Sequence, residues 1–331
     1  MVSKFETDLN QYAETFQPLT PLRFLVRSAE IFPERTAIIY GDKSTTWREH
    51  AQRCRQLGSA LVAVGVQRGD TVAVMAPNTP PMLEAQFGVL IAGAVLNSIN
   101  IRLDTHAIAN ILEHSEARVF LVDRQFSAAA CEAVGKLQSP ILVVDIDDPD
   151  AGDGDGGQAG TIEYEAFLRI GSQSTPTCWP TDEWDAIAFE YTLDVIGNAK
   201  NVTYHHRGAY LNALGQVLSF QMSGSPVYVS TLPLIHSHGW SFAWGLAALG
   251  GTHVCIRKVS AEAIYDAIRR FGVTHFCCAP TWFDFLIDGA PADWTAPAQP
   301  IRVMMAGASP PASILKKIGD LGFSVLYEYP A

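Results

Sequence analysis

The residue types that could do chemistry are spread along this chain, and most familiar constellations are incomplete. His236 and His238 form an H-x-H pair of the kind metallo-hydrolases use, but no further ligands follow nearby, so no metal site is expected. No G-x-S-x-G elbow is present, which argues against a serine hydrolase. No G-x-G-x-x-G follows a strand, which argues against a dinucleotide fold. Six cysteines lie scattered without metal-ligand spacing, and reduced thiols are expected. Residues 147–160 are acidic and glycine-rich, with oxygen donors that calcium favours. The ordered pattern closing on a glutamate is missing there, so a solvated surface loop is expected. His205 and His206 should form a solvated helix start. Residues 191–202, Tyr-Thr-Leu-Asp-Val-Ile-Gly-Asn-Ala-Lys-Asn-Val, read alone as strand, turn and strand.

The elements that must position these residues alternate between strands and helices. Thr20 is expected to cap a helix over 20–31, entered at Thr20-Pro21, and Thr46 one running to about Val64. Short buried strands are expected at 36–40, 71–75, 94–98, 119–123 and 141–145, with 41–43 a turn. A helix through 84–88 lies among them. The second half repeats the style. Strands are expected at 186–191, 227–230, 253–256, 274–278, 301–305 and 325–327, and helices at 206–220, 239–248, 261–271 and 312–321. Such alternation predicts an α/β fold of mostly parallel sheet flanked by helices. At 331 residues, one large or two fused units are expected, read here as 1–175 and 176–331.

Composition excludes several partners. The net charge of −11 argues against a nucleic-acid surface, though not against ATP, which needs only local donors. No apolar run is long enough to span a bilayer, and the first residues lack the apolar core of a secretory signal. The cytoplasm is therefore the expected compartment.

Several longer stretches carry a resemblance. Tyr204-His205-His206-Arg207-Gly208-Ala209-Tyr210-Leu211-Asn212 resembles Y-x-H-R-G-A-Y-L-N of the adenylate-forming (AMP-binding) enzymes, in the acyl-CoA synthetase branch. Residues 231–240, Thr-Leu-Pro-Leu-Ile-His-Ser-His-Gly-Trp, are similar to T-L-P-M-F-H-C-N-G-W, and 305–311 to the adenine-side T-G-G-A-P-P stretch. Arg68-Gly69-Asp70-Thr71-Val72-Ala73-Val74 and Pro77-Asn78 match its N-terminal half. The likeness covers roughly 20–330.

The resemblance implies two similar mostly parallel β-sheets with flanking helices. It implies ATP, Mg2+ and CoA as cofactors, and a medium-chain, branched or aromatic carboxylic acid joined to CoA through an acyl-adenylate. The family's phosphate loop is T-S-G-T-T-G-x-P-K-G. Thr192, Gly197 and Lys200 sit where it wants them, while Leu193, Asp194, Val195 and Ile196 replace its Ser-Gly-Thr-Thr core. Lost hydroxyls and the Asp194 charge are expected to weaken triphosphate binding. The resemblance assigns His236, Gly239, Trp240 and Gly307 to an acyl pocket. Trp240, Phe242, Trp244, Phe276 and Trp282 are singly explained by core packing, and as a set around His236 and Gly307 they suggest its apolar walls. It assigns Ala308, Ser309, Pro310 and the stacking Tyr327 to the adenine side.

Relatives continue past this point into a β subdomain and a mobile domain bearing a catalytic lysine. The sequence here ends at Ala331, so the chain alone is expected to be impaired or inactive. A non-catalytic acyl-binding module or a protein-interaction remnant is the alternative. An apolar edge at 325–327 is expected to recruit a second copy or a partner. A peroxisomal address occurs among relatives, but Tyr329-Pro330-Ala331 is not such a signal.

Overall fold

Thr46 does what its sequence context predicts. Its hydroxyl accepts from the Glu49 amide, and Glu49 returns a carboxylate to the Thr46 amide, a reciprocal capping box that starts a 17-residue helix. The first helix begins at Leu22, slightly later than expected, and the Thr20 hydroxyl accepts from the Leu22 amide at 3.3 Å as the expected cap does, while also sharing a 2.9 Å hydrogen bond with His206. That ring is buried rather than solvated, because the helix it opens packs into the interior.

A computed structural model describes residues 16–151, 157–174, 177–193, 199–235 and 241–328. The chain runs α1 (Leu22–Ile31), β1 (Thr36–Tyr40), β2 (Lys43–Thr46), α2 (Trp47–Ala63), β3 (Thr71–Met75), α3 (Pro80–Ile91), β4 (Val95–Ser98) and α4 (Thr105–His114). Then come β5 (Ala117–Asp123), α5 (Ser127–Val134), β6 (Leu142–Ile146), β7 (Ile162–Glu163), α6 (Tyr164–Ile170), β8 (Ala186–Leu193), β9 (Ala199–His205), α7 (His206–Ser219) and β10 (Val227–Val229). It continues with α8 (Phe242–Leu249), β11 (Thr252–Cys255), α9 (Ala261–Phe271), β12 (His275–Cys277), α10 (Trp282–Asp288), β13 (Ile301–Ala306), α11 (Ala312–Asp320) and β14 (Phe323–Glu328).

The strands form two seven-stranded sheets, ordered β14-β13-β12-β10-β11-β1-β2 and β7-β6-β5-β3-β4-β8-β9. Each is parallel except for one hairpin strand at an edge, β2 in one and β9 in the other. The sheets do not follow a cut at residue 175. Strands β1 and β2 join the sheet built from the second half, and β8 and β9 join the sheet built from the first.

Alternation along the strands explains the layering. On β3 and β5, Val72, Val74, Val119 and Leu121 face a core that both sheets share, while Ala73, Met75, Phe120 and Val122 face α4 and α5. On β13, Val303 and Met305 face α9, α10 and α11, and Met304 faces α7 and α8. Helices α1, α2, α3, α6, α7 and α8 therefore pack toward the core the two sheets share, and α4, α5, α9, α10 and α11 cover the outer faces. Strands covered on both faces read as near-continuous apolar runs, which is why they were legible.

Candidate functional site

In an open α/β sheet, ligands bind beyond the carboxyl ends of the strands, where strand order reverses. The sheet that holds β10 reverses between β10 and β12, since β11 lies on one side of β10 and β12 on the other. The sheet that holds β3 reverses between β3 and β5 for the same reason.

These two reversals face each other. Asn78 follows β3, and its side chain reaches the segment after β10. It donates to the Ser230 carbonyl at 2.9 Å and the Leu232 carbonyl at 2.8 Å, and accepts from the Leu234 amide at 2.9 Å. Across the β10/β12 reversal itself, the Thr231 hydroxyl donates to the Cys277 carbonyl.

A second tie joins the same ends. Arg257, just past β11, grips Asp123 at the end of β5 with both terminal nitrogens, at 2.6 and 2.8 Å, and reaches Asp148 at 2.8 Å. Tyr40, ending β1, donates to the same Asp148 carboxylate. Burial opposes the Arg257 charge, yet the bonds and charges of Asp123 and Asp148 raise its pKa overall. Burial and then Asp148 push the Tyr40 phenol up. Asp148, at the start of the acidic stretch after β6, is thus not the solvated surface residue expected: it joins a half-buried ion cluster as counter-charge to Arg257. Among the described residues, no group of His, Cys, Asp or Glu could hold a metal ion. The described cysteines are all free thiols.

The adenine side expected from sequence comes together in part. Parallel pairing of β13 with β14 sets Met305 opposite Tyr327, and the Tyr327 hydroxyl donates to the Gly307 carbonyl. Tyr327 is 43% exposed, so a large part of its side chain remains open to solvent. Gly307 has φ +112°, a conformation L side chains avoid, which explains a glycine where β13 leaves the sheet. Ala308 and Ser309 are exposed beside it, and Pro310 is half-buried.

The apolar walls do not converge. Phe242 packs with Phe220 and Tyr228 on the inner face of the β10–β14 sheet. Phe276 points to the opposite face, onto α9 and α10, and Trp282 packs there too. Trp244 lies in the shared core, donating its indole N–H to the Gln86 carbonyl. Strand alternation sends these rings to different layers, so they do not line one slot. His236, Gly239 and Trp240 lie outside the described residues, as do Gly197 and Asp194 and the side chains of Thr192 and Lys200.

Two features escaped the sequence reading. His205 caps α7, its ring nitrogen accepting from the Gly208 amide at 3.0 Å. Tyr191, two residues before β8 ends, shares a 2.6 Å hydrogen bond with His114 at the end of α4. Neither a lone histidine nor a tyrosine in a strand carries a signal for such pairing.

The chain matches the model of the AMP-binding enzyme family over residues 25–329. It is 40% identical to a peroxisomal acetate/butyrate–CoA ligase of Arabidopsis thaliana, over 97% of this chain and 58% of that protein. It is 39% identical to a peroxisomal trans-cinnamate:CoA ligase of Petunia hybrida, over 97% of this chain and 59% of that one. The chain thus spans less than two thirds of the length of these relatives. Among solved structures it superposes on an anthranilate CoA ligase in complex with anthranoyl-AMP, with TM-score 0.85 at 20% identity, covering 97% of this chain and 62% of that one. Sheets, family model and relatives agree, and the chain belongs to the AMP-binding enzyme family.

Proposed function

We propose that this chain binds a small carboxylic acid at the crevice between its facing sheet ends, as the front part of an acyl-CoA ligase does, and that it adenylates that acid weakly or not at all on its own. The observation carrying this is the strand-order reversal between β10 and β12, flanked by the segment after β10 and by the Gly307–Tyr327 corner. Relatives named for acetate, butyrate, benzoate, cinnamate and 2-methylpropanoate ligases point to the substrate class: short, branched or aromatic acids.

ATP, Mg2+ and CoA are the cofactors the family uses. An exposed tyrosine beside a glycine turn suits a stacked base. The donor set for phosphate does not suit a triphosphate. Leu193, Val195 and Ile196 offer no side-chain donors, and Asp194 repels anions. A non-catalytic acid-binding module is the second reading, and this same loop favours it. The compartment expected from the residues is the cytoplasm, with the peroxisome of several relatives as the alternative.

Acid-dependent pyrophosphate exchange across acetate, butyrate, benzoate, cinnamate and octanoate tests the proposal. Exchange near the no-protein blank, with thermal stabilisation by at least one acid, is expected. Rapid exchange would overturn the weak-adenylation part. A flat thermal response from folded protein would overturn the binding part.

A further inference from the structure

We propose that Asn78 is a positioning residue, through which the sheet that holds β3 keeps in place the crevice wall that belongs to the sheet that holds β10. Asn78 is 8% exposed, and its side chain engages three backbone groups of one short segment, 230–234. That segment leaves β10 at the strand-order reversal. It has few alternatives: Thr231 donates across the reversal to Cys277, and Leu234 is buried in the shared core. Without Asn78, two carbonyls and one amide in this segment lose their side-chain partner, and unpaired buried polar groups are costly.

The residue type matches the task. Only a primary amide offers two N–H donors and a carbonyl acceptor on one planar group. Aspartate has the same shape but would turn oxygen lone pairs toward the Ser230 and Leu232 carbonyls. Serine is too short to span three backbone groups. Asn78 also precedes the start of α3 by two residues, so it is held by the sheet it belongs to while touching the other. A shift between the sheets would therefore reach the crevice wall first through this side chain. Arg257 ties the same sheets, but its partners are Asp123, Asp148 and Gln125, none of them on the crevice wall.

The test is amide exchange by mass spectrometry on the full chain, with Asn78→Asp and Asn78→Ala. Exchange in 230–235 should accelerate by about tenfold or more, while β3, β5 and β6 hold their protection. An acid that stabilises the unsubstituted chain should lose most of its effect on both variants. Unchanged exchange at 230–235, or equal acceleration everywhere, would overturn the proposal. Should the variants fail to fold, the unsubstituted chain still decides. Its Leu234 amide should exchange about a hundredfold slower than an open peptide, and an open-peptide rate there would overturn the proposal. The ligand arm rests on the carboxylic-acid reading. If no acid stabilises the unsubstituted chain, that reading fails, and the exchange arm alone decides Asn78.

Discussion

Mild acid should unfold this protein, and four histidines are the reason. His50, His206, His253 and His275 are all buried. Burial lowers His50 to about 3, helped by the charges of nearby His253 and Arg53. Burial alone takes His253 to about 3. His206 and His275 fall to about 4, again chiefly by burial, with Arg68 and His205 adding to the first and Arg302 to the second. His50 sits edge-on to Trp47 and Phe87, with the Cys54 sulfur 3.8 Å from its ring nitrogens.

An unfolded chain takes up a proton at each of these near pH 6.5, and the folded chain does not until pH 3–4. Stability is therefore full above pH 6.5 and falls as the pH drops toward 4. At pH 5 each histidine costs about 2 kcal/mol and the four together about 8, against roughly 5–15 for a whole domain. Even half of that is a large loss. The carboxylates of Glu49, Glu132, Glu183 and Asp293 are held below their usual range, so the stability they contribute is lost only below about pH 4.5. Urea unfolding followed by tryptophan fluorescence, from pH 7.5 to 5, is the assay. The midpoint should fall steadily below pH 6.5, and His50→Gln should flatten that fall by about a quarter. A midpoint constant to within about 0.3 M across the range would refute the argument.

Other perturbations have definite expected outcomes. Arg257→Ala should destabilise by about 3–5 kcal/mol in the same assay, because it leaves buried Asp123 uncompensated; a loss below about 1 would mean the clasp is solvated. Gly171→Ala should cost about 1–3 kcal/mol, since its Cβ would lie 2.0 Å from the Gln56 carbonyl oxygen and push α6 off α2; calorimetry would detect it. Asp194→Gly should tighten Mg-ATP binding measured by titration calorimetry, and no change would place that carboxylate away from phosphate. Among the described residues strand β14 is a sheet edge, so sedimentation velocity over a wide concentration range should reveal self-association.

Much of the fold was legible in residue types. Apolar runs at 36–40, 71–75 and 301–305 marked strands covered on both faces, and the Thr46/Glu49 pair marked a helix start, because these signals are local. The turn expected at 41–43 runs straight into strand β2, too polar to stand out from loop. Helix α4 also went unseen, behind an ordinary aspartate cap. The family stretches told which enzymes the chain resembles, since motif order survives without any distances. What sequence could not decide was which side chains meet. Phe242, Trp244 and Phe276 look alike in sequence, yet strand alternation and the shared helix layer send them to three different cores. Asp148 looked like surface until Arg257, 109 residues later, took it as a counter-charge. Asn78 looked like the end of a strand, and only the facing of two separately built sheets makes it the bridge between them. The Asp148 and Asn78 outcomes depend on contacts across more than a hundred residues, which local pattern does not encode.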